Sequence, residues 1–264
     1  MRAVLAVARK ELTAAFTTPV AWAVLMVIAF FSAQFFNGAL DAFRFLSLRA
    51  LQLQNPGLLE RLSLTERVVA PLFGSMGLLL VIVAPFLSMR LFAEEKRART
   101  FELLLTAPVR PWQIVLGKYL AGLATLAAAL LIVALFPLLL SFYATGTQGG
   151  AGVEWQTVGT GLLGLFLLGA MAMAVGMFVS ALTESVIVAA LVSLLFLLSL
   201  YVVTLFTIGM EGPVRELVLA LSASDHLTSF LAGRIELKDV VYYLSFVVLG
   251  LYLTDRALEG TRWA

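Results

Sequence analysis

The 264-residue chain is 61% hydrophobic and only 13% charged, with a mean hydropathy of +1.01, whereas soluble domains are about 45–50% apolar and about 25% charged. No water-soluble fold of this length hides so much apolar surface, so the composition is that of an all-α polytopic membrane protein. A net charge of +2 marks membrane sidedness and not nucleic-acid binding, and the lack of cysteine excludes disulfides, thiolate metal sites and cysteine nucleophiles.

Residues 1–18 read as an amphipathic interface helix. Val4, Leu5, Ala8, Leu12, Ala15 and Phe16 share one arc, and Arg2, Arg9, Lys10 and Thr13 lie opposite. The basic start followed by an apolar run has the outline of a signal peptide. However, the run from Pro19 to Asn37 is too long for a signal core and has no small-residue cleavage site, so it reads as a retained first span. About 20 apolar residues cross the hydrocarbon, and six segments qualify: 19–38, 68–90, 113–142, 157–182, 186–209 and 240–254. Pro71, Pro85 and Pro137 fall in or near the ends of these spans, where they can bend them. Gln34 and Asn37, near the outer end of the first span, are either interhelical donors or boundary residues.

Between spans one and two, residues 39–67 read as a mixed loop, with Asn55, Pro56 and Gly57 as a turn between two short helices. Residues 91–112 form a charged connection and Gly146–Gly152 a flexible one. Residues 211–238 carry two apolar clusters, 217–221 and 227–231, that suggest short interfacial helices. With the N-terminus inside, 11 of the Lys and Arg residues fall inside and 7 outside, and 143–156 holds none. The positive-inside rule therefore places both termini and the charged connection in the cytoplasm.

That connection is the most informative part of the chain. Arg90, Glu94, Glu95, Lys96, Arg97, Arg99 and Glu102 crowd one helix-prone stretch between two spans. Read as a helix over 93–106, it places Glu95–Arg99 and Lys96–Thr100 at i,i+4 and Arg99–Glu102 at i,i+3. Pro108 and Pro111 end it. Carboxylates interleaved with basic groups weaken attraction to anionic lipids and suit a protein partner, where charge pattern sets orientation. The bland alternative is a solvated loop held to lipid. Lys118, one turn into the third span, reads as a snorkelling lysine. Gly161, Gly164, Gly169, Ala172, Gly176 and Ser180 give span four a small-residue face for close packing. Glu184 is either a charge at the start of span five or a second docking contact.

No catalytic set stands out. His226, beside Asp225, is a lone histidine in an external loop and reads as solvated. Gly74-Ser75-Met76-Gly77 is not a nucleophile elbow, and Gly117-Lys118 lacks the rest of a phosphate-binding loop. The spans are nearly free of the ionisable groups that ion-coupled carriers place near the midplane. Any driving energy must therefore come from another chain.

On these residues the chain resembles ABC-2-type permeases, the membrane subunits of ATP-binding-cassette transporters. The carrying motifs are Glu94-Glu95-Lys96-Arg97, then Thr100-Phe101-Glu102-Leu103-Leu104, Pro108, and Leu116-Gly117-Lys118, with Ala8-Arg9-Lys10-Glu11 in the interface helix. The phrasing around Met89–Arg97 is closest to the gliding-motility-associated branch. The family's glycine before the threonine is Arg99 here. The resemblance implies a non-catalytic half-transporter that pairs with a second copy or a paralogous permease in a bacterial inner membrane. It also implies two cytosolic ABC ATPase subunits that supply Mg-ATP chemistry. Coupling would then run through Glu94, Glu95, Lys96, Arg97, Arg99, Thr100, Glu102, Leu103 and Pro108, clamped by Arg9, Lys10 and Glu11 of the interface helix. The competing reading is a membrane scaffold that anchors an ATPase or motility complex without transport.

Overall fold

A computed structural model describes residues 2–53, 63–99, 110–144, 152–207 and 212–263. It is all-helical over these residues, and six helical runs are long and apolar enough to cross a membrane. The helices are α1 (Arg2–Thr17), α2 (Pro19–Gln52), α3 (Ala70–Ser88), α4 (Arg90–Arg97), α5 (Pro111–Ala144), α6 (Trp155–Leu182), α7 (Val186–Val202), α8 (Pro213–Leu221), α9 (Ala223–Leu231) and α10 (Leu237–Trp263). A π-helical turn, Thr65–Val69, leads into α3, and a 3-10 turn, Val203–Thr207, ends α7.

Helix α6 is the axis of the bundle: α3, α4, α5, α7, α9 and α10 all pack on it. Its small residues make this possible by receiving large side chains from its neighbours. A Cβ on Gly161 would meet Phe73 at 2.5 Å, one on Gly164 would meet Phe230 at 2.6 Å, and one on Gly169 would meet Leu126 at 2.7 Å. The small-residue face thus serves packing within the chain, where close approach maximises dispersion contact. By contrast, α7 and α2 bury little, and Ile187, Leu191, Leu195, Met26 and Phe30 point outward. In a bilayer such faces meet lipid or another subunit.

Two boundaries differ from expectation. Helix α2 does not stop near residue 38 but continues to Gln52, so 39–52 is helix and not loop. Nothing in Gly38–Gln52 breaks the helical backbone, and Phe35, Phe36, Leu40 and Phe43 still pack against the core. The predicted Asn55-Pro56-Gly57 turn and most of the Gly146–Gly152 loop lie outside the described residues. Helix α10 begins at Leu237 and reaches Trp263, well beyond 240–254.

At the α1–α2 corner, Thr18 is extended and Pro19 takes the first helical position, where its missing N–H costs nothing. Trp22 Nε1 donates to Phe16 O at 2.9 Å and its ring meets Phe16 edge-on, which fixes the turn between the two helices.

At the opposite end, the α8–α9 pair is held by side chains of α10. Tyr242 Oη donates to Leu221 O and Tyr243 Oη to Ala223 O, each at 2.8 Å. His226 is buried, not solvated. Its Nδ1 lies 2.6 Å from Asp239 Oδ1, its Nε2 lies 3.1 Å from Ala220 O, and its ring stacks on Tyr242 at 4.1 Å. The sequence reading failed here because Asp239, the partner, lies 13 residues away on the next helix. With Nε2 occupied by a carbonyl, no nucleophile completes a triad, and the pair acts as a strut. Asp239→Ala is expected to leave the spans inserted while loosening 213–231. Leaving a buried hydrogen-bonding group without its partner costs about 1–3 kcal/mol. Hydrogen–deuterium exchange should show faster amide exchange in α8 and α9 and little change in α6. Unchanged exchange in α9 would remove the strut assignment.

Candidate functional site: a lysine clamp joining three helices

Helix α4 continues the path of α3 past a break at Met89 and lies across the end of α6. Its N-terminal backbone donors are met from α6 and not from its own sequence. Ser180 Oγ accepts from Phe92 N at 3.2 Å and Ala93 N at 3.0 Å, and donates to Met89 O at 2.7 Å. A side chain from another helix thus supplies the cap that α4 lacks locally. Ser180 therefore does more than pack closely. At the other end of α4, Lys96 Nζ donates to Ala181 O, so α4 is fastened to the last turn of α6 at both ends. Phe92 and Ala93 are fully buried beneath it.

The charged residues of α4 divide into two groups. Arg90 and Glu94 pair with each other, Nε to Oε2 at 2.9 Å, across one helical turn. Glu95 turns inward to Lys118 Nζ at 2.8 Å, and Lys118 also reaches Glu11 Oε1 of α1 at 3.1 Å. Lys10 adds contacts to Glu11 at 3.3 Å and Glu95 at 3.8 Å. The Lys118 side chain is 2% exposed and its ammonium stands 5.2 Å from the centroid of the Phe92 ring. This corrects the snorkelling reading: the ammonium does not reach for water but joins α1, α4 and α5. A buried cation persists only when paired, and two carboxylates from different helices do this here.

Gly117, the residue before Lys118, explains how α1 comes close enough. A Cβ there would lie 2.7 Å from Val7 Cβ and 3.0 Å from Val4 O, so only glycine lets α1 rest directly on α5. The packed arc of α1 accordingly contains Val4, Val7, Glu11 and Phe16, while Leu5, assigned to that arc from sequence, is 63% exposed. The Gly-Lys pair thus has a physical meaning: the glycine seats α1 on α5 and the lysine pins it to α4.

Three expectations for 93–106 change. Helix α4 starts at Arg90 and ends at Arg97, and of the remaining 93–106 stretch residues 100–106 lie outside the described residues. Arg99 ends it in the left-handed region, φ +56°, a conformation that favours glycine. The position at which the resemblance implies glycine thus has a glycine-like backbone although arginine fills it. Because Arg99 lies beyond the helix, Glu95–Arg99 is not a helical pair, and Glu95 serves Lys118 instead. Thr100, Glu102, Leu103 and Pro108 lie outside the described residues. Arg9, Arg97 and Arg99 are exposed. Ser185, not Glu184, caps α7 by accepting from Val188 N.

The described residues thus form an all-helical bundle with six candidate membrane spans and a short charged helix clamped beneath the central one. A family model described as ABC-2 family transporter protein matches residues 5–261, and the chain belongs to that family. Membership associates it with an ABC ATPase and a transporter complex. No curated protein matches the sequence.

Proposed function

We propose that the chain is the permease subunit of an ABC exporter, with α4 as the helix through which separate cytosolic ATPase subunits drive the spans. The observation that carries this is the Lys118 clamp. It connects α4 rigidly to the interface helix and to span α5, so force on α4 reaches the bundle and is not lost in a loop. Ser180 and Lys96 extend the connection into α6, the axis on which most other helices pack. A transporter of this kind needs a bistable packing biased by an external energy source, and a lever fixed to two spans meets that need.

In this reading α4 and both termini face the cytoplasm of a bacterial inner membrane, and α8–α9 lie outside. The unit forms a dimer with itself or a paralogous permease, Mg-ATP binds in the partner ATPase, and residues 1–264 form one transmembrane domain. Motif phrasing favours the gliding-motility-associated branch. Two lateral clefts support a lipidic or lipid-linked glycan substrate. One, of about 430 Å³, lies among α6, α7 and α10. The other, of about 570 Å³, lies between α2 and α3. Both have almost wholly apolar walls, of the kind that suits acyl chains.

The test is purification of the chain with its native neighbours, followed by mass spectrometry and an ATPase assay in nanodiscs. A cassette ATPase should be held in stoichiometric amount and lost on Glu102→Lys, with hydrolysis that responds to substrate lipids. Stoichiometric ATPase whose rate no lipid or glycan fraction alters would favour the scaffold. Recovery without any ATPase would end the permease reading.

A further inference from the structure

The described carboxylates of the clamp are already committed within the chain: Glu94 to Arg90, and Glu11 and Glu95 to Lys118 and Lys10. Arg97 and Arg99 at the end of α4 have no acidic partner among the described residues and are exposed. Folding therefore sorts the interleaved charge pattern visible in the sequence: Glu11 and Glu95 turn inward to Lys118, Glu94 stays at the surface paired with Arg90, and Arg97 and Arg99 are left outward without a carboxylate among the described residues. Beside them a cleft of about 480 Å³ opens between α4 and the start of α7, walled by Arg90, Glu94, Arg97, Ala98, Val186 and Ile187. Ile187 is 71% exposed at its apolar edge.

The backbone at Arg99 adds a second, independent observation. A left-handed conformation costs a non-glycine residue about 1–2 kcal/mol, and glycine would hold the same turn without that cost. The position therefore favours glycine for folding, yet carries a guanidinium. An arginine held at this cost is explained by what its side chain contacts.

We propose that the end of α4 and the start of α7 form a receptor for one acidic side chain of the ATPase subunit, flanked there by an apolar residue. The carboxylate bridges Arg97 and Arg99 in charge-assisted, fork-shaped hydrogen bonds, and the apolar neighbour covers Val186 and Ile187. This rests on the permease reading above and adds the chemistry of the partner's surface. A protein fits better than an anionic membrane. Lipid headgroups attract any arginine on a mobile segment and give no reason for a strained one, whereas a mixed charged and apolar cleft matches an oriented side-chain pair.

Arg99→Gly separates side chain from backbone. In nanodiscs, with the full chain and its co-expressed ATPase, the variant should melt at the wild-type temperature or higher. It should bind the ATPase about tenfold more weakly, a change of about 1.4 kcal/mol. A photo-crosslinking residue in place of Ile187 should attach to an ATPase peptide containing Asp or Glu, and one in place of Leu195 should not. Binding by Arg99→Gly within twofold of wild type, or adducts at position 187 to lipid alone, would overturn the proposal and leave the permease reading standing. Failure of the wild type to retain any ATPase would overturn both.

Discussion

Lys118→Met is expected to separate α1 from α4 while leaving six spans in the membrane. The substitution keeps most of the side-chain volume but leaves Glu11 and Glu95 facing each other, 16% and 19% exposed, with only the solvent-facing Lys10 nearby. Breaking a buried pair by removing one partner costs about 3–5 kcal/mol, because the remaining charges are left uncompensated. Each kcal/mol lowers the melting temperature of a domain this size by about 2–4 °C, so a fall of about 10 °C in nanodiscs is expected. Hydrogen exchange should rise in α1 and α4 before it rises in α6. A second variant tests the mechanism. Glu11→Gln, Lys118→Met and Glu95→Gln together remove all three charges, and should recover much of the melting temperature, since no charge of the trio is then left buried without its partner. They should not recover ATP-driven transport, because the mechanical link is gone. If Lys118→Met melts as wild type does, the ammonium is solvated and the clamp assignment is wrong.

Gly176→Ala is expected to be among the most disruptive single-methyl changes in the chain. The added Cβ would stand 1.9 Å from Ser88 Oγ and 2.9 Å from Ser88 Cβ, closer than real Cβ contacts come. Ser88 has no free space to enter: it is fully buried and its hydroxyl donates to Ala84 O at 3.0 Å. Overpacking typically costs 1–3 kcal/mol, and a clash this severe between two core helices should reach about 3 kcal/mol. It would also push α3 away from α6 just where α4 begins. The rescue is specific. Ser88→Gly in the same chain removes both short contacts and leaves only Pro85 Cα, at 3.9 Å. Glycine in a helix costs about 1 kcal/mol relative to alanine, so the loss at 88 and the gain at 176 nearly cancel. The double variant should melt close to wild type. Failure of Ser88→Gly to rescue, with Gly176→Ala destabilised, would mean that the spacing of α3 and α6 is set elsewhere.

The legible parts of this chain were those whose signal lies along the sequence. Span number follows from apolar runs, because each run must satisfy its own backbone in hydrocarbon. The arc of α1 follows from 3.6-residue periodicity, with Val7 for Leu5 the main exchange at its edge. The small-residue face of α6 announced close packing. The charged connection was visible as a charge cluster between spans, but its end at Arg99 in the left-handed region was not, because the sequence pattern there continues a helix.

Pairings over long separations were not legible. Lys118 meets Glu11 across 107 residues and Glu95 across 23, so its burial could not be read from its position one turn inside a span. Ser180 caps α4 across 88 residues, a role indistinguishable in sequence from that of any small residue in a helix interface. His226 looked solvated because Asp239, Tyr242 and the Ala220 carbonyl surround it only after α9 folds back onto α10. By itself the sequence determined the class of protein, its six candidate spans and the charged stretch between two of them, because hydropathy and helical period act locally. Only the tertiary structure decided which of the described charges are paired inside the chain and which stay exposed, because a charge finds its counter-ion in space and not along the chain.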